Sequence, residues 1–271
     1  MQRKLIALDL DGTTLNAKGA LTPRTIAVLE AASTAGHQVV ITTGRPDSIS
    51  EPFYDQLHLT APMINFNGAL IHVPHQHWVG EHAVTLPIAT ALGLQEFKAD
   101  YDIKVMVAEG KQLLVADHGY TDIPFLPDMP TPTRLFDAAG LTQNPISVTM
   151  FIDEATLGPL SAAIAGRFPD LAAKTWGAWS GENTALEVTA PNTSKSRALA
   201  YVADACGIAR TDIWAFGDDL NDLDMIEFAG MGVAMANARP QILAAADDVT
   251  GDDNDHDGVA AYLAKALHLA A

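Results

Sequence analysis

The sequence predicts an α/β fold, with a doubly wound parallel-sheet core and an inserted α+β domain. Short continuous apolar runs such as residues 5–8 and 213–216 are typical of strands that are buried on both faces of a parallel sheet. Helix-like segments separate these runs, as the connections between parallel strands require. From about residue 84 to residue 188 the pattern changes to strands between two helices, which favours an antiparallel sheet with helices on one face. We therefore predict a core of residues 1–83 and 189–271 and an inserted domain of residues 84–188.

The first two core strands are joined by a helix whose ends are marked in the sequence. Thr22 is a good N-cap and Pro23 a good first helical residue, so we predict a helix from this point to about residue 35. A second apolar strand follows at 38–42, and a third short strand is predicted at 63–66. A strand–helix–strand unit of this kind implies that its two strands are parallel.

The inserted domain has its own pattern of helices and strands. We predict an amphipathic helix over 87–100 and a second helix over 157–168. The predicted strands are 104–108, 112–116, 146–152, 171–176 and 185–189. The first two are expected to be joined by a turn at Glu109-Gly110. The run 146–152 alternates apolar and polar residues, which favours an antiparallel strand with one solvent-exposed face.

The composition limits the classes of partner. The chain has 271 residues, of which 48% are hydrophobic and 18% charged, as in globular proteins. The formal net charge of −17 argues against binding to nucleic acid or to an anionic membrane surface, but not against a small anionic substrate. The single cysteine, Cys206, excludes an intramolecular disulfide, and no apolar run is long enough to cross a bilayer. We expect a cytoplasmic protein that is either a monomer or a homodimer.

Two carboxylates, one residue apart, follow the first apolar strand. Asp9 and Asp11 belong to the run Asp-Leu-Asp-Gly-Thr-Thr-Leu. Ligands in open α/β sheets bind beyond the carboxyl ends of the strands, and residues i and i+2 of an extended chain point the same way. Two acids this close repel each other unless a cation or a shared proton relieves them. Taken alone, the pair also fits a solvated acidic turn at a strand end.

Two further segments place groups that suit an anion. Thr43 and Gly44 follow the second strand in the run Thr-Gly-Arg-Pro, although such a run alone also fits an ordinary loop between a strand and a helix. Lys195 begins a helix predicted to extend to about Cys206. A lysine at a helix N-terminus opposes the helix dipole but suits a phosphate ligand, which the free N–H groups also bind. A lone lysine at such a position is more often simply solvated.

A group of acids follows the fourth core strand, 213–216. Asp218, Asn221 and Asp222 occur in the run Gly-Asp-Asp-Leu-Asn-Asp, and their spacing places the last two one helical turn after the first. So many acids at one strand end are costly without a cation. The segment therefore indicates a metal site.

Together these four segments resemble the four motifs of the haloacid dehalogenase superfamily, in its Cof-type, sugar-phosphatase-like branch. Ser196 departs mildly from the usual Cof-type form, which has glycine after the motif lysine. The matching segments cover residues 1 to about 80 and 190–271, so the resemblance implies a Rossmann-like core with residues 84–188 as a cap domain.

The resemblance implies a phosphohydrolase in which Asp9 is the nucleophile and Asp11 the general acid/base. The implied phosphate-binding residues are Thr43, Gly44, Lys195 and Asn221. Mg²⁺ is the implied cofactor, and its implied ligands are Asp9, the backbone carbonyl of Asp11, and Asp218. Asp222 is implied to hold these ligands in place without contacting the metal directly.

The predicted function is a Mg²⁺-dependent phosphomonoesterase that hydrolyses small phosphorylated metabolites, such as sugar phosphates, through an aspartyl phosphate. Two alternatives remain open. A phosphomutase of the phosphomannomutase type shares the nucleophile but needs cap arginines for a second phosphate, and the insert contains only Arg134 and Arg167. A non-catalytic ligand-binding protein of this fold is the other, and the intact acid pair argues against it. Trp176 and Trp179 are candidates for the substrate-facing surface of the insert or for its core.

Overall fold

A computed structural model describes residues 2–118, 132, 134–175 and 184–269. Two compact units divide the chain. The first unit comprises Met1–Arg45, Ser50–His82 and Ser194–Ala271, and the second comprises Pro46–Ile49 and Ala83–Thr193. Trp176 and Trp179 lie outside the described residues.

In chain order the strands are β1 Leu5–Leu8, β2 Gln38–Ile41, β3 Met63–Asn65, β4 Leu70–His72, β5 His82–Ala83, β6 Ile103–Gly110, β7 Leu113–Ala116, β8 Ser147–Ile152, β9 Ala172–Thr175, β10 Thr184–Thr189, β11 Ile213–Gly217, β12 Met231–Ala234 and β13 Asp248–Val249. The helices are α1 Pro23–Thr34, α2 Asp47–Gln56, α3 Ile88–Gln95, α4 Glu154–Arg167, α5 Lys195–Cys206, α6 Leu223–Phe228, α7 Pro240–Ala245 and α8 Gly258–Ala266. Among the described residues, no helix is both long enough and apolar enough to span a membrane.

The first unit contains a parallel sheet of five strands in the order β13-β12-β11-β1-β2. Strand β1 lies inside this sheet, between β11 and β2, and its residues are completely buried. Leu8 pairs in register with Phe216 of β11 and with Ile41 of β2. The carboxyl ends of these three strands therefore meet at one edge of the sheet, and the polar segments that follow them begin there. The predicted α/β fold class is confirmed.

Helices of the first unit begin where the sequence predicts. Thr22 caps α1 by accepting a hydrogen bond from the N–H of Thr25, and Pro23 is the first helical residue. Ser194 caps α5 in the same way, accepting from the N–H of Arg197, so that Lys195 becomes the first residue of that helix. Caps of this kind each contribute about 1 kcal/mol and define where the helix begins.

The second unit contains an antiparallel sheet of five strands in the order β7-β6-β8-β10-β9. Helices α3 and α4 cover one face of this sheet. Their residues Leu94, Leu160 and Ile164 pack with side chains of the central strands such as Met106 and Met150. This arrangement confirms the predicted α+β architecture of the insert.

Two details of the second unit differ from the prediction. Glu109-Gly110 is not a turn but the end of β6, where Glu109 pairs with Leu114, and Gln112 takes the positive φ of the turn. Strand β8 has no solvent-exposed face, since all of its residues, including Ser147 and Thr149, are buried. A Glu-Gly pair resembles a turn because glycine favours turns, and alternation does not reveal whether the polar face of a strand is covered.

Candidate active site

The acids predicted at two different strand ends come together. Carboxylate oxygens of Asp9, Asp218 and Asp222 all lie within 4.8 Å of one another. Asp9 continues β1, and its N–H donates to the carbonyl of Phe216 at 3.1 Å. Asp218 follows β11, the strand paired with β1. The parallel register of these two strands therefore brings residues more than 200 positions apart into one cluster.

Lys195 holds two of these acids together. Its Nζ donates to Oδ1 of Asp9 at 2.5 Å and to Oδ1 of Asp222 at 2.6 Å. The lysine side chain is completely buried, and so is that of Asp222. A buried charge is tolerated only when it is paired and hydrogen-bonded, and this ammonium meets both conditions.

Asp222 organises the loop that follows β11. Its Oδ2 accepts from the backbone N–H groups of Asp218 at 3.0 Å and Asp219 at 3.2 Å, while Oδ1 accepts from Lys195. Both of its oxygens are thus used within the protein. Asp218 is held from the other side by the hydroxyl of Thr13, which donates to its Oδ1 at 2.9 Å.

The charges in the cluster are not balanced. Burial and the carboxylate of Asp222 raise the pKa of Asp9 well above its ordinary value, and the ammonium of Lys195 opposes this only in part. Burial and Asp222 also raise the pKa of Asp218 to about 7. Burial by itself lowers the pKa of Lys195, but the charges of Asp222 and Asp9 raise it above its ordinary value. One ammonium does not compensate for all these carboxylates, so a further cation would stabilise them.

The donor set fits a small divalent cation. Mg²⁺ prefers oxygen ligands, and carboxylates are the usual protein donors for it. Asp9 and Asp218 each use Oδ1 in the hydrogen bonds above, and within the described residues the Oδ2 atom of neither accepts a hydrogen bond. These two acids are therefore the residues that could coordinate a cation directly, whereas Asp222 orients the loop and the lysine.

Asp11 is paired with the guanidinium of Arg45, which follows the end of β2. Nε of Arg45 donates to Oδ2 of Asp11 at 2.7 Å, and Nη2 donates to Oδ1 at 2.6 Å. This two-point geometry fixes the plane of the carboxylate as well as its position. The Asp11 side chain remains 38% exposed, so it stays accessible from solvent.

The predicted phosphate-binding residues Thr43, Gly44 and Asn221 contact groups outside the acid cluster. The hydroxyl of Thr43 accepts from the N–H of Arg45 at 3.1 Å, and Nδ2 of Asn221 donates to Oδ1 of Asn67 at 3.1 Å. A Cβ on Gly44 would lie 3.1 Å from the same Oδ1 of Asn67, which makes the approach tight. Among the described residues, Thr43 and Asn221 form no hydrogen bond with the acid cluster. They follow β2 and β11, at the same edge of the sheet as the cluster.

Residues 6–263 match the family model of haloacid dehalogenase-like hydrolases. The chain belongs to the haloacid dehalogenase-like hydrolase family. This hydrolase has the Cof-type motifs at the strand ends, and the match confirms the resemblance on which the predicted fold and phosphatase class depend.

Two bacterial phosphatases are similar to this hydrolase over nearly its full length. The 5-amino-6-(5-phospho-D-ribitylamino)uracil phosphatase YitU of Bacillus subtilis (strain 168) is 32% identical over 273 residues, which cover 98% of both chains. The pyridoxal phosphate phosphatase YbhA of Escherichia coli (strain K12) is 32% identical over 274 residues, or 97% of this chain and 98% of the relative. The crystal structure of a haloacid dehalogenase-like hydrolase from Bacteroides thetaiotaomicron has a TM-score of 0.84 at 26% identity, covering 98% of this chain and 100% of that chain. This hydrolase is a phosphatase.

Three polar residues at the site of the hydrolase had no predicted role. They are Thr13, which holds Asp218, Arg45, which holds Asp11, and Asn67, which contacts Asn221. Arg45 directly follows Thr43-Gly44 at the end of the second strand. A cation at a strand end of the same sheet was therefore the signal in the sequence that it could pair with an acid of the site. Asn67 has a φ of 53° in the turn after β3, and nothing in the sequence indicates that its amide meets Asn221.

Gly12 gives a direct test of this geometry. Its φ is +72°, and a Cβ at this position would overlap the carboxylate of Asp218. Gly19 is the matched control, because its φ is +69° but nothing lies within 4 Å of an added Cβ. We expect Gly19→Ala to lower the free energy of unfolding by about 1–3 kcal/mol through backbone strain alone. Gly12→Ala should lose roughly 1–3 kcal/mol more, because Asp218 must move. Urea unfolding of both variants measures the difference, and equal losses would contradict the contact.

Proposed function

We propose that this phosphatase is a Mg²⁺-dependent phosphomonoesterase that hydrolyses small phosphorylated metabolites through an aspartyl phosphate. The observation that carries the proposal is the position of Asp9, which directly follows the buried strand β1 and lies beside a buried lysine and two further acids. A carboxylate that is held in place beside an ammonium group can attack the phosphorus atom of a phosphate ester.

The reaction has two steps. A carboxylate oxygen of Asp9 attacks the phosphorus atom, and the ester bond between phosphorus and the leaving oxygen breaks. Asp11 gives its proton to the leaving alkoxide in this first step. In the second step Asp11 takes a proton from water as that water attacks the phosphorus of the aspartyl phosphate, which releases inorganic phosphate and restores Asp9. The exposure of Asp11 leaves its carboxyl group reachable from solvent, and the two-point contact with Arg45 fixes its orientation.

Lys195 is proposed to bind the phosphoryl group. An ammonium has three N–H donors. Two of them go to Asp9 and Asp222, which leaves one for a phosphate oxygen next to the nucleophile. Thr43, Gly44 and Asn221 border the same edge and are proposed to hold the other oxygens as charge redistributes during transfer.

Asp9 and Asp218 are the proposed side-chain ligands of Mg²⁺, together with the backbone carbonyl of Asp11. When bound, Mg²⁺ supplies positive charge that reduces the repulsion between the phosphate dianion and the attacking carboxylate. Asp222 supports both the metal loop and Lys195 through its hydrogen bonds.

The substrate is proposed to be a small phosphate ester such as a sugar phosphate, selected by the second unit. The relatives named for a phosphorylated ribitylamino-uracil and for pyridoxal phosphate support a small-molecule ester. The residues proposed for chemistry all belong to the first unit, so the second unit is free to determine selectivity.

The phosphomutase alternative receives no support from the arginines of the insert. Arg134 is exposed, and Arg167 pairs with Glu96 at 2.6 Å on the surface. Its guanidinium also stacks over the rings of Phe97 and Phe168. The ion pair and the ring contacts connect the end of α4 to the segment that follows α3. Arg167 therefore stabilises the packing of these helices. Hydrolysis of a phosphate monoester is therefore preferred to the phosphomutase reaction.

Asp9→Asn should abolish turnover while the protein remains folded, because an amide is nearly isosteric with the carboxylate but cannot attack phosphorus. Steady-state hydrolysis of an aryl phosphate measures this, with circular dichroism as the check on folding. Asp204→Asn, on the exposed face of α5, is the matched control and should retain wild-type activity. Activity of Asp9→Asn within tenfold of the wild type would refute the nucleophile assignment.

Asp218→Ala should sharply raise the Mg²⁺ concentration needed for half-maximal activity, because one of the two direct carboxylate ligands is lost. Asp219→Asn is the control, since Asp219 pairs with Arg239 and is partly exposed. Calcium should bind to the wild type yet support little turnover, because its looser coordination does not hold the reacting geometry. Full activity in excess chelator would contradict the metal assignment.

Asp11→Asn should distinguish the two half-reactions. An aryl leaving group needs no proton, so the first step should suffer least with an aryl ester and most with an alkyl ester. Water activation is impaired with either ester, and the aspartyl phosphate should then accumulate on Asp9. Mass spectrometry after rapid quench detects a single phosphoryl adduct. Equal losses for both esters without an adduct would argue against Asp11 as the acid/base.

A further inference from the structure

The loop that carries Asp11 is bound by two asparagines from distant parts of the first unit. Nδ2 of Asn237 donates to the backbone carbonyl of Gly12 at 2.8 Å, and Nδ2 of Asn254 donates to that of Leu15 at 2.8 Å. The two asparagines also contact each other, because the N–H of Asn254 donates to Oδ1 of Asn237 at 3.2 Å. The two contacts with the loop join residues that are 225 and 239 positions apart.

The orientation of both amide groups follows from their backbone partners. A backbone carbonyl only accepts a hydrogen bond, and a backbone N–H only donates one. Oδ1 of Asn237 must therefore face the N–H of Asn254, which leaves its Nδ2 for Gly12. Asn254 must likewise turn its own Nδ2 towards Leu15. Replacing either asparagine by aspartate thus removes one donor to the loop and keeps the shape of the side chain.

The acidic loop 253–257 contacts the segment after β1 at further points. Oδ1 of Asp255 accepts from the N–H of Ala17 at 2.6 Å, and Oδ1 of Asp257 accepts from the hydroxyl of Thr25 at 3.2 Å. Its carboxylates thus bind protein donors. Among the described residues, the only group of three acids or histidines close enough to hold a metal ion is the acid cluster of the active site. The loop therefore holds the segment after β1 in place and is not a second metal site.

The segment held in this way contains the backbone carbonyl that is proposed as a metal ligand. This carbonyl of Asp11 belongs to the peptide group that joins it to Gly12. On one side of it, the hydroxyl of Thr14 donates to the carbonyl of Asp9 at 2.6 Å. On the other side, Gly12 has a φ of 72°, and glycine changes its backbone angles easily, so a contact from outside is needed to restrict it. Asn237 supplies that contact.

We propose that Asn237 and Asn254 are positioning residues, which fix the loop so that the carbonyl of Asp11 lies where the metal ion binds. The proposal rests on the proposed Mg²⁺-dependent function and adds residues that act on the metal site without touching the metal. Loss of a residue that holds a metal ligand typically lowers metal affinity tenfold or more. A purely structural role instead predicts lower stability with unchanged metal affinity.

The test compares Asn237→Asp and Asn254→Asp with the matched control Asn16→Asp. Oδ1 of Asn16 accepts from the N–H groups of Lys18 and Ala20 in the segment after β1, so aspartate there adds the same charge and keeps these contacts. The first measured quantity is the Kd for Mn²⁺, which replaces Mg²⁺ and is detected by electron paramagnetic resonance without substrate. The second is the rate of amide hydrogen exchange in residues 10–15, measured by mass spectrometry without metal.

We expect the Kd for Mn²⁺ to rise about tenfold in Asn237→Asp and Asn254→Asp and to stay within about twofold of the wild type in the control. The added charge alone predicts the opposite change, because an extra carboxylate attracts a cation more strongly. We also expect exchange in residues 10–15 to become about fivefold faster in both variants, because one hydrogen bond to the loop is lost. Asn237 is exposed, so its replacement should leave the overall fold intact.

A Kd for Mn²⁺ that is unchanged or lower in both variants would overturn the proposal, and so would unchanged amide exchange in residues 10–15. Unfolding of both variants would indicate a structural role and would overturn it as well. A wild type that binds no Mn²⁺ would instead refute the metal assignment of the proposed function. The exchange rates need no metal and would then still show whether the two asparagines hold the loop, so the two failures are distinguishable.

Discussion

The buried ammonium of Lys195 holds together two carboxylates that would otherwise repel each other. It joins Asp9 at the end of β1 to Asp222 in the loop after β11, and Lys195 itself begins α5. Three elements of the first unit therefore depend on one charge for their arrangement at the sheet edge. Removing one partner of a buried ion pair typically costs 3–5 kcal/mol, because the remaining charge is left without compensation.

Both units keep polar groups buried at the expense of stability. In the first unit, the pKa values of Asp9 and Asp218 are raised by burial and by neighbouring carboxylates. In the second unit, Glu109 and two hydroxyl groups are buried without partners in the described residues. The surrounding apolar strands supply the stability that permits this. Buried polar groups that lower stability are expected at sites of binding or reaction, because elsewhere evolution tends to replace them with apolar side chains.

The strand ends of the first unit were predictable because their signals are local. An apolar run that stops at a carboxylate or a hydroxyl is visible without knowledge of the fold, as are Thr22 and Pro23 at the start of α1. The prediction failed at Glu109, because a Glu-Gly pair indicates a turn unless the length of the strand is known. It failed also for the face of β8 that carries Ser147 and Thr149, because alternation shows that a face is polar but not whether it is covered.

The sequence by itself determined the fold class, the family and the order in which acids, hydroxyls and a lysine occur at strand ends, because periodicity and short motifs depend only on neighbouring residues. The tertiary structure alone decided which of these groups meet. Arg45 reaches Asp11 across 34 positions, Asn221 reaches Asn67 across 154 and Lys195 reaches Asp9 across 186. Contacts between such distant residues follow from strand register and helix packing, which bring together side chains whose separation in the sequence contains no information about distance in space.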